Sequence, residues 1–253
     1  MLIKIKKNIK NLIRSLFDPI AKKLGYIKPI NNNFLLSNFL IMLNNIDFKV
    51  NHIVDVGANL GQWTRIALKY YPNSFYSLFE PQANLKNRMS DLLVNPKVSL
   101  YTAGAGSKND TLKLTLVDRH DSCTFKYTEE EAKSMGFEQI DVPVYSLSKF
   151  FSGKKLPVPE LIKIDAEGFD MEVLKGCVDF FGKTEIFFVE ASISNPNINN
   201  TLKMVIDFMN SKGYRMLDIT DLNRPWPNGA LWLVEAVFVI RGGFIDRKTS
   251  VKK

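Results

Sequence analysis

Apolar positions along this 253-residue chain follow two successive patterns. Over the first residues they recur at helical spacing: Leu2, Ile5, Ile9, Leu12, Ile13, Leu16, Phe17, Ile20 and Leu24 share one side while lysines fill the other. That predicts a basic amphipathic helix, interrupted near Pro19. A polar break at 31 to 33 separates it from a second apolar helix over 34 to 46, so residues 1 to 48 read as a helical N-terminal extension. From His52 the pattern changes to short apolar strands alternating with helical segments, the form taken by an α/β fold with a mostly parallel, doubly wound sheet. Strands fall near 52–57, 75–80, 98–103, 160–165, 185–191, 214–219 and 231–240, and helices near 62–71, 82–94, 170–181 and 198–212. The stretch at 107–158 breaks the alternation. It reads as a β-rich insertion with one short helix, and insertions of such length in compact domains usually cover a site.

Composition narrows the class. With 45% hydrophobic residues the span 49–245 has enough apolar material for one enzyme-sized core. The formal net charge of +8 would suggest a nucleic-acid partner, but its distribution argues otherwise. Residues 1–30 carry eight basic side chains against one acid, the tail at 246–253 carries four against one, and the body between them has 22 basic against 24 acidic. An enzyme that tracks phosphates concentrates positive charge around its cleft, so no nucleic acid is expected and an enzyme acting on RNA is disfavoured. The basic N-terminal helix, residues 1 to 25, either lies peripherally on an anionic membrane face or packs against the domain. No apolar run is long enough for a signal peptide or a span. Cys123 and Cys177 match neither a disulfide framework nor a metal spacing, which fits a reducing, cytoplasmic setting.

Chemistry concentrates at the first strand and the turn after it. The run IVDVGANLGQW at 53–63 ends an apolar strand in Asp55, then supplies Gly57, Ala58, Asn59 and Gly61, residues that tolerate tight turns and close backbone approach. One strand later LFEP at 78–81 ends in Glu80, whose carboxylate can accept two hydrogen bonds from a ribose diol. Neither G-x-G-x-x-G nor a P-loop is present, so dinucleotides and triphosphates are disfavoured. Two acids beside the loop suit a nucleoside of positive charge. S-adenosylmethionine, a sulfonium, meets that description.

The run VDVGANLGQWT, FEP at 79–81, LIKIDAEG at 161–168 with VLKG at 173–176 behind it, FFVE at 187–190 and AVFV at 236–239 occur in an order that resembles the FkbM family of S-adenosylmethionine-dependent methyltransferases. The likeness covers roughly 52–241. It implies a Rossmann-like methyltransferase fold, a seven-stranded sheet whose last strand runs antiparallel between its neighbours, and methyl transfer usually to oxygen. It further implies Asp55 and Gly57 beside the methionine part, Ala58, Asn59 and Gly61 in the loop, and Glu80 on the ribose. The chain departs from the family at Ser146-Leu147-Ser148, where many members have Thr-Leu-Asp, and at Asp170, where Glu is common.

Methyl transfer is an in-line displacement, so the enzyme mainly aligns the reactants and excludes water, and a hydroxyl acceptor must also lose a proton. Candidates for the base are Asp165, Glu167 and Glu190 at strand ends, and His120 in the insertion. Asp165 would orient the acceptor hydroxyl or steady the methionine ammonium. Glu167 either faces the cleft or caps the helix that starts near Phe169, and Glu190 either faces it or forms a buried pair. These three acids are hard oxygen ligands, yet no other residue supports Mg²⁺ and no metal is expected. Trp226, between Pro225 and Pro227, and residues 195–200 form an expected acceptor rim. The expected acceptor is a sugar hydroxyl on a glycan, a glycolipid or a related small molecule. The alternative is a catalytically inactive, membrane-associated binding module with the same fold.

Overall fold

The computed structural model describes residues 34–195 and 199–250. The basic helix expected over residues 1 to 25 lies outside these, as do residues 196–198 of the expected rim. From Leu35 onward the chain forms one compact unit.

That unit opens with α1 (Leu35–Asn45), whose buried Leu36, Phe39, Leu40 and Leu43 make a stripe at helical spacing. The Phe39 ring meets Phe188 edge-on at 5.4 Å, so this helix is part of the core and not of a detached extension. There follow β1 (His52–Val56), α2 (Gln62–Leu68), β2 (Phe75–Phe79), a 3-10 segment (Ala83–Met89) running into the short α3 (Ser90–Leu93), and β3 (Val98–Tyr101). The insertion contributes β4 (Gly104–Ala105), β5 (Asp110–Leu116), α4 (Glu129–Ser134) and β6 (Glu138–Tyr145). Then come α5 (Leu147–Phe151), β7 (Leu161–Ile164), α6 (Asp170–Lys175), β8 (Ile186–Ser192), α7 (Leu202–Ser211), β9 (Tyr214–Asn223), β10 (Leu233–Ile240) and α8 (Phe244–Thr249).

Seven strands form the main sheet in the order β3-β2-β1-β7-β8-β10-β9. The neighbours from β3 to β8 are parallel, and β10 runs antiparallel to both β8 and β9. Burial on both faces explains why the central strands read as near-continuous apolar runs. Side-chain alternation then divides them: Ile53 and Phe188 join the core under α1 and α2, while Val54, Ile162 and Phe187 join the core under α5, α6 and α7. His52, buried within β1, is held by hydrogen bonds to Ser77 Oγ at 2.9 Å and the Pro157 carbonyl at 2.8 Å.

The insertion is a three-stranded sheet, β4-β6-β5, with the expected short helix. Thr128 and Glu131 start α4 as a reciprocal capping box: Oγ1 of Thr128 accepts from the Glu131 N–H at 3.2 Å, and the Glu131 carboxylate accepts from the Thr128 N–H at 2.8 Å. Two segments differ from the sequence reading. The helix expected over 170–181 ends at Lys175, and the Gly176 that follows lies so close to the start of the insertion that a Cβ there would stand 2.0 Å from the Gly106 carbonyl oxygen. Residues 246–249, read as tail, are helical because Ile245 is buried and Asp246 pairs with Arg215 on β9. No helix among the described residues is long and apolar enough to cross a membrane.

Candidate functional site

The carboxyl ends of β1, β2 and β7 open into a cleft roofed by the insertion. Gly57, Asn59, Glu80, His120, Asp165 and Glu167 all line it. This is the position at which open α/β sheets bind ligands.

Backbone hydrogen bonds set the loop after β1. The N–H groups of Gly57 and Ala58 both donate to the Phe79 carbonyl, at 2.9 and 3.1 Å, folding the chain over the end of β2. Gly57 has φ 71°; its N–H holds it to the end of β2, and on the other side it lies directly against the backbone of Asp165, just after β7. Asn59 follows at φ 47°, and its N–H donates to Glu80 Oε2 at 2.8 Å. The Gln82 N–H donates to Oε1 at 2.9 Å. Each Glu80 oxygen is therefore oriented by one backbone donor, and Oε2 keeps lone-pair capacity for a second. Burial, with Glu80 only 4% exposed, pushes its proton affinity up, and the bonds from Gln82 and Asn59 oppose that.

Asp55 stands behind the cleft and not in it. It is fully buried, accepts from Thr64 Oγ1 at 2.5 Å and faces Lys163 Nζ at 3.4 Å. The sequence reading set it beside a ligand; the structure places it behind the cleft wall, facing Lys163. Ala58 packs into the core, and a Cβ on Gly61 would meet Leu92 Cδ1 at 2.3 Å, so these two shape the loop without lining the cleft.

Lys163 was not singled out from the sequence, yet it connects the site. Its ammonium is buried, 3.1 Å from Asp165 Oδ2 and 3.1 Å from the Gly57 carbonyl as well as facing Asp55. Burial works against its charge, and the carboxylates of Asp165, Asp55 and Glu235 outweigh that, holding it protonated well beyond the usual lysine range. A lysine in the middle of the apolar strand LIKI was the available signal, since lysine is rarely buried unless paired. Glu235, an acid inside the apolar run of β10, was a second such signal. It accepts from Thr220 Oγ1 at 2.5 Å and from Trp63 Nε1 at 3.4 Å, and burial pushes it up to about 7.

The four candidates for the base separate by environment. Asp165 lines the cleft with its carboxylate on Lys163. Glu167, at φ 49°, lines it too; burial, with Asp165 and Asp170 adding repulsion, pushes its carboxyl up to about 8. The helix that follows has no side-chain cap, so Glu167 does not cap it; Asp170 in its first turn is fully buried and ties down the preceding loop, accepting from the Ala166 N–H at 2.8 Å and the Gly168 N–H at 2.9 Å. Glu190 lies on β8, beyond the residues that line the cleft, with its proton affinity raised by burial and then by Asp165, Asp170 and Glu167. His120 lines the cleft, and its carbonyl accepts from Gln82 Nε2 at 2.7 Å and Asn59 Nδ2 at 3.4 Å. Those bonds strap the insertion to the loop that orients Glu80. Gln82, with no distinguishing signal in the sequence, is the central link, because Nε2 also reaches Glu80 Oε1 at 3.3 Å. Cys123, half-buried, completes this wall with Sγ 3.5 Å from Gln82 Oε1.

Trp226 is 42% exposed, with its ring 5.8 Å from that of Trp232, so it is neither a fully buried plug nor a free platform. Among the described residues no three His, Cys, Asp or Glu side chains are grouped as a metal site. Asn59 Oδ1 is buried without a partner, and such an acceptor is satisfied by a ligand N–H or O–H. Together with the oriented Glu80 carboxylate, it makes the donor set fit a nucleoside bearing a diol.

Comparisons with known proteins accord with this geometry. "Methyltransferase 1" of Beauveria bassiana (strain ARSEF 2860) is 28% identical over 145 residues, covering 50% of this chain and 58% of that protein, so the match spans little more than half of the relative's length. Among solved structures, a methyltransferase FkbM from Methylobacillus flagellatus KT is similar at TM-score 0.47 and 14% identity, over 73% of this chain and 43% of that one. A putative O-methyltransferase from Klebsiella pneumoniae is similar at TM-score 0.46 and 12% identity, over 89% and 96%. The family model described as the methyltransferase FkbM domain matches residues 55–216, well over half of the sequence, and the chain belongs to that family.

Proposed function

We propose that this protein is an S-adenosylmethionine-dependent methyltransferase that methylates a sugar hydroxyl on a glycan, a glycolipid or a related small molecule. The observation that carries the reading is Glu80, buried at the end of β2 in the cleft wall with each oxygen oriented by a backbone N–H. Glu80 would hold the ribose diol, the Gly57 to Asn59 loop the adjoining part of the nucleoside, and Asp165 the ammonium of the methionine end. When bound, S-adenosylmethionine supplies an electrophilic methyl group on a sulfonium.

The chain's own residues handle alignment and the proton. Glu167 lines the same cleft, and its carboxyl at about 8 gives it the proton affinity of a base that works near neutral pH. In its ionised form it takes the proton of the acceptor hydroxyl. The strap from His120 to Asn59 and Gln82 keeps water from that face. Residues 1 to 25 would hold the enzyme peripherally on the anionic cytoplasmic membrane face, where a glycolipid acceptor would be presented. Liposome binding that survives both high salt and deletion of that segment would refute this last element.

Calorimetric titration with S-adenosylmethionine tests the central reading. The wild type should bind, Glu80→Ala should bind far more weakly, and mass spectrometry over a panel of glycans, lipids and metabolites should find one added methyl. A wild type that binds no S-adenosylmethionine overturns the enzyme reading.

A further inference from the structure

One strand beyond the cleft, on the β8 side, lies a polar recess that cofactor binding leaves unused. Asn200 there is 1% exposed. Its Nδ2 donates to Asp170 Oδ2 at 2.6 Å and to the Glu190 carbonyl at 3.4 Å, and because both partners only accept, the orientation of the amide is determined. Its Oδ1 is consequently a buried acceptor, and no donor reaches it. The neighbouring Glu190 carboxylate receives no hydrogen bond and no ion pair from any described residue. Asp165, Asp170 and Glu167 are further carboxyl groups near enough to raise its proton affinity, and the buried ammonium of Lys163 is already shared between Asp55 and Asp165.

A buried amide oxygen beside a half-buried carboxylate, both lacking donors among the described residues, suits a partner with several N–H groups and a positive charge. A hydroxyl offers a single proton and would leave one acceptor and the excess charge uncompensated. A phosphate or carboxylate would be repelled. We propose that this recess binds an ammonium group of the methyl acceptor, which makes the acceptor an amine-bearing molecule such as an amino sugar. This inference rests on the methyltransferase reading. It assigns the recess to the acceptor because Glu80 places the ribose at β2, and Glu190 on β8 lies three strands away across β1 and β7.

The test is calorimetric titration of the full chain, saturated with S-adenosylhomocysteine, with glucosamine and with glucose. Glucosamine should bind at least about tenfold more tightly, as a charge-assisted contact requires. Its binding at pH 7 should also release protons from the carboxyl groups, seen as a binding enthalpy that changes with the buffer, whereas glucose should release none. Glu190→Gln keeps the side-chain volume and should abolish the preference for glucosamine while S-adenosylhomocysteine binds as before. Equal binding of the two sugars, or no binding of either, overturns the proposal. So does a Glu190→Gln protein that loses S-adenosylhomocysteine affinity, since the recess would then belong to the methionine end. Wild type that binds no S-adenosylhomocysteine would instead sink the methyltransferase reading itself.

Discussion

The α-carbon of Gly57 sits so close to Asp165 that a Cβ there would stand 1.7 Å from the Asp165 carbonyl oxygen. The loop after β1 and the loop carrying two candidate acids are therefore in backbone contact. Gly57→Ala forces either that carbonyl or the loop to move, and adds the strain of φ 71° on a residue with a side chain. The expected cost is about 3 kcal/mol or more. Urea unfolding measures it, and a loss below about 1 kcal/mol would show that the two strands separate easily.

Lys163 Nζ faces the fully buried Asp55 carboxylate at 3.4 Å. Lys163→Met leaves Asp55 buried and charged, an arrangement expected to cost about 3–5 kcal/mol. Asp55→Asn in the same chain should restore a large part of that loss, because the remaining partner, Asp165, is 37% exposed and can be solvated. Additive losses in the double mutant would mean that the two side chains are not energetically coupled.

Glu167 has a stability signature of definite sign. Its carboxyl binds a proton more tightly in the folded chain, at about 8, than at its ordinary value of 4.5. The stability it contributes is complete below the ordinary value and is lost as pH rises through about 8. Turnover, which needs the ionised base, should rise over the same range. Glu167→Gln should flatten its part of the stability decline between about pH 5 and 8 and lower turnover about 100-fold. A variant whose pH–rate profile matches the wild type would remove Glu167 from the chemistry.

Glu80→Gln retains shape but exchanges an acceptor for a donor where two backbone N–H groups converge. Affinity for S-adenosylmethionine should fall about tenfold or more, since hydrogen bonds to a charged group are lost and an N–H faces an N–H. Calorimetry would detect it directly. Unchanged affinity would place the ribose elsewhere.

The hydrogen bonds His120 makes to Asn59 and Gln82 both run through its carbonyl, which any residue supplies. His120→Ala should therefore change kcat by no more than about twofold. Gln82→Ala, which cuts the strap itself, should raise KM for S-adenosylmethionine. If His120→Ala proves the more damaging of the two, the imidazole has a chemical role.

Much of this was legible along the chain because it is local. The switch from helical to strand spacing at His52, the turn residues after β1, the insertion over 107–158 and the capping pattern of Thr128 and Glu131 all depend on neighbours a few positions apart. The antiparallel last strand came from family likeness and not from the pattern, since alternation within 233–240 is the same whichever way the strand is laid. Close approaches were less legible: Gly176, just after α6, has no room for a side chain because of Gly106, some seventy positions earlier.

The sequence by itself determined the layered α/β architecture, the position of the cleft at the ends of β1 and β2, and the acids available to it, because side-chain periodicity and turn chemistry are short-range properties. Only the tertiary structure decided what each acid does. Asp55 was withdrawn into a pair with Lys163, 108 positions on; Glu80 was aimed by Asn59, from the preceding strand's loop; Glu167 was given its raised proton affinity; and Glu190 was left beside Asn200 without a donor. The physical reason is that a carboxyl group's charge, proton affinity and partner are set by burial and by whatever the sheet order brings within a few ångströms, and neither quantity exists until the strands are side by side.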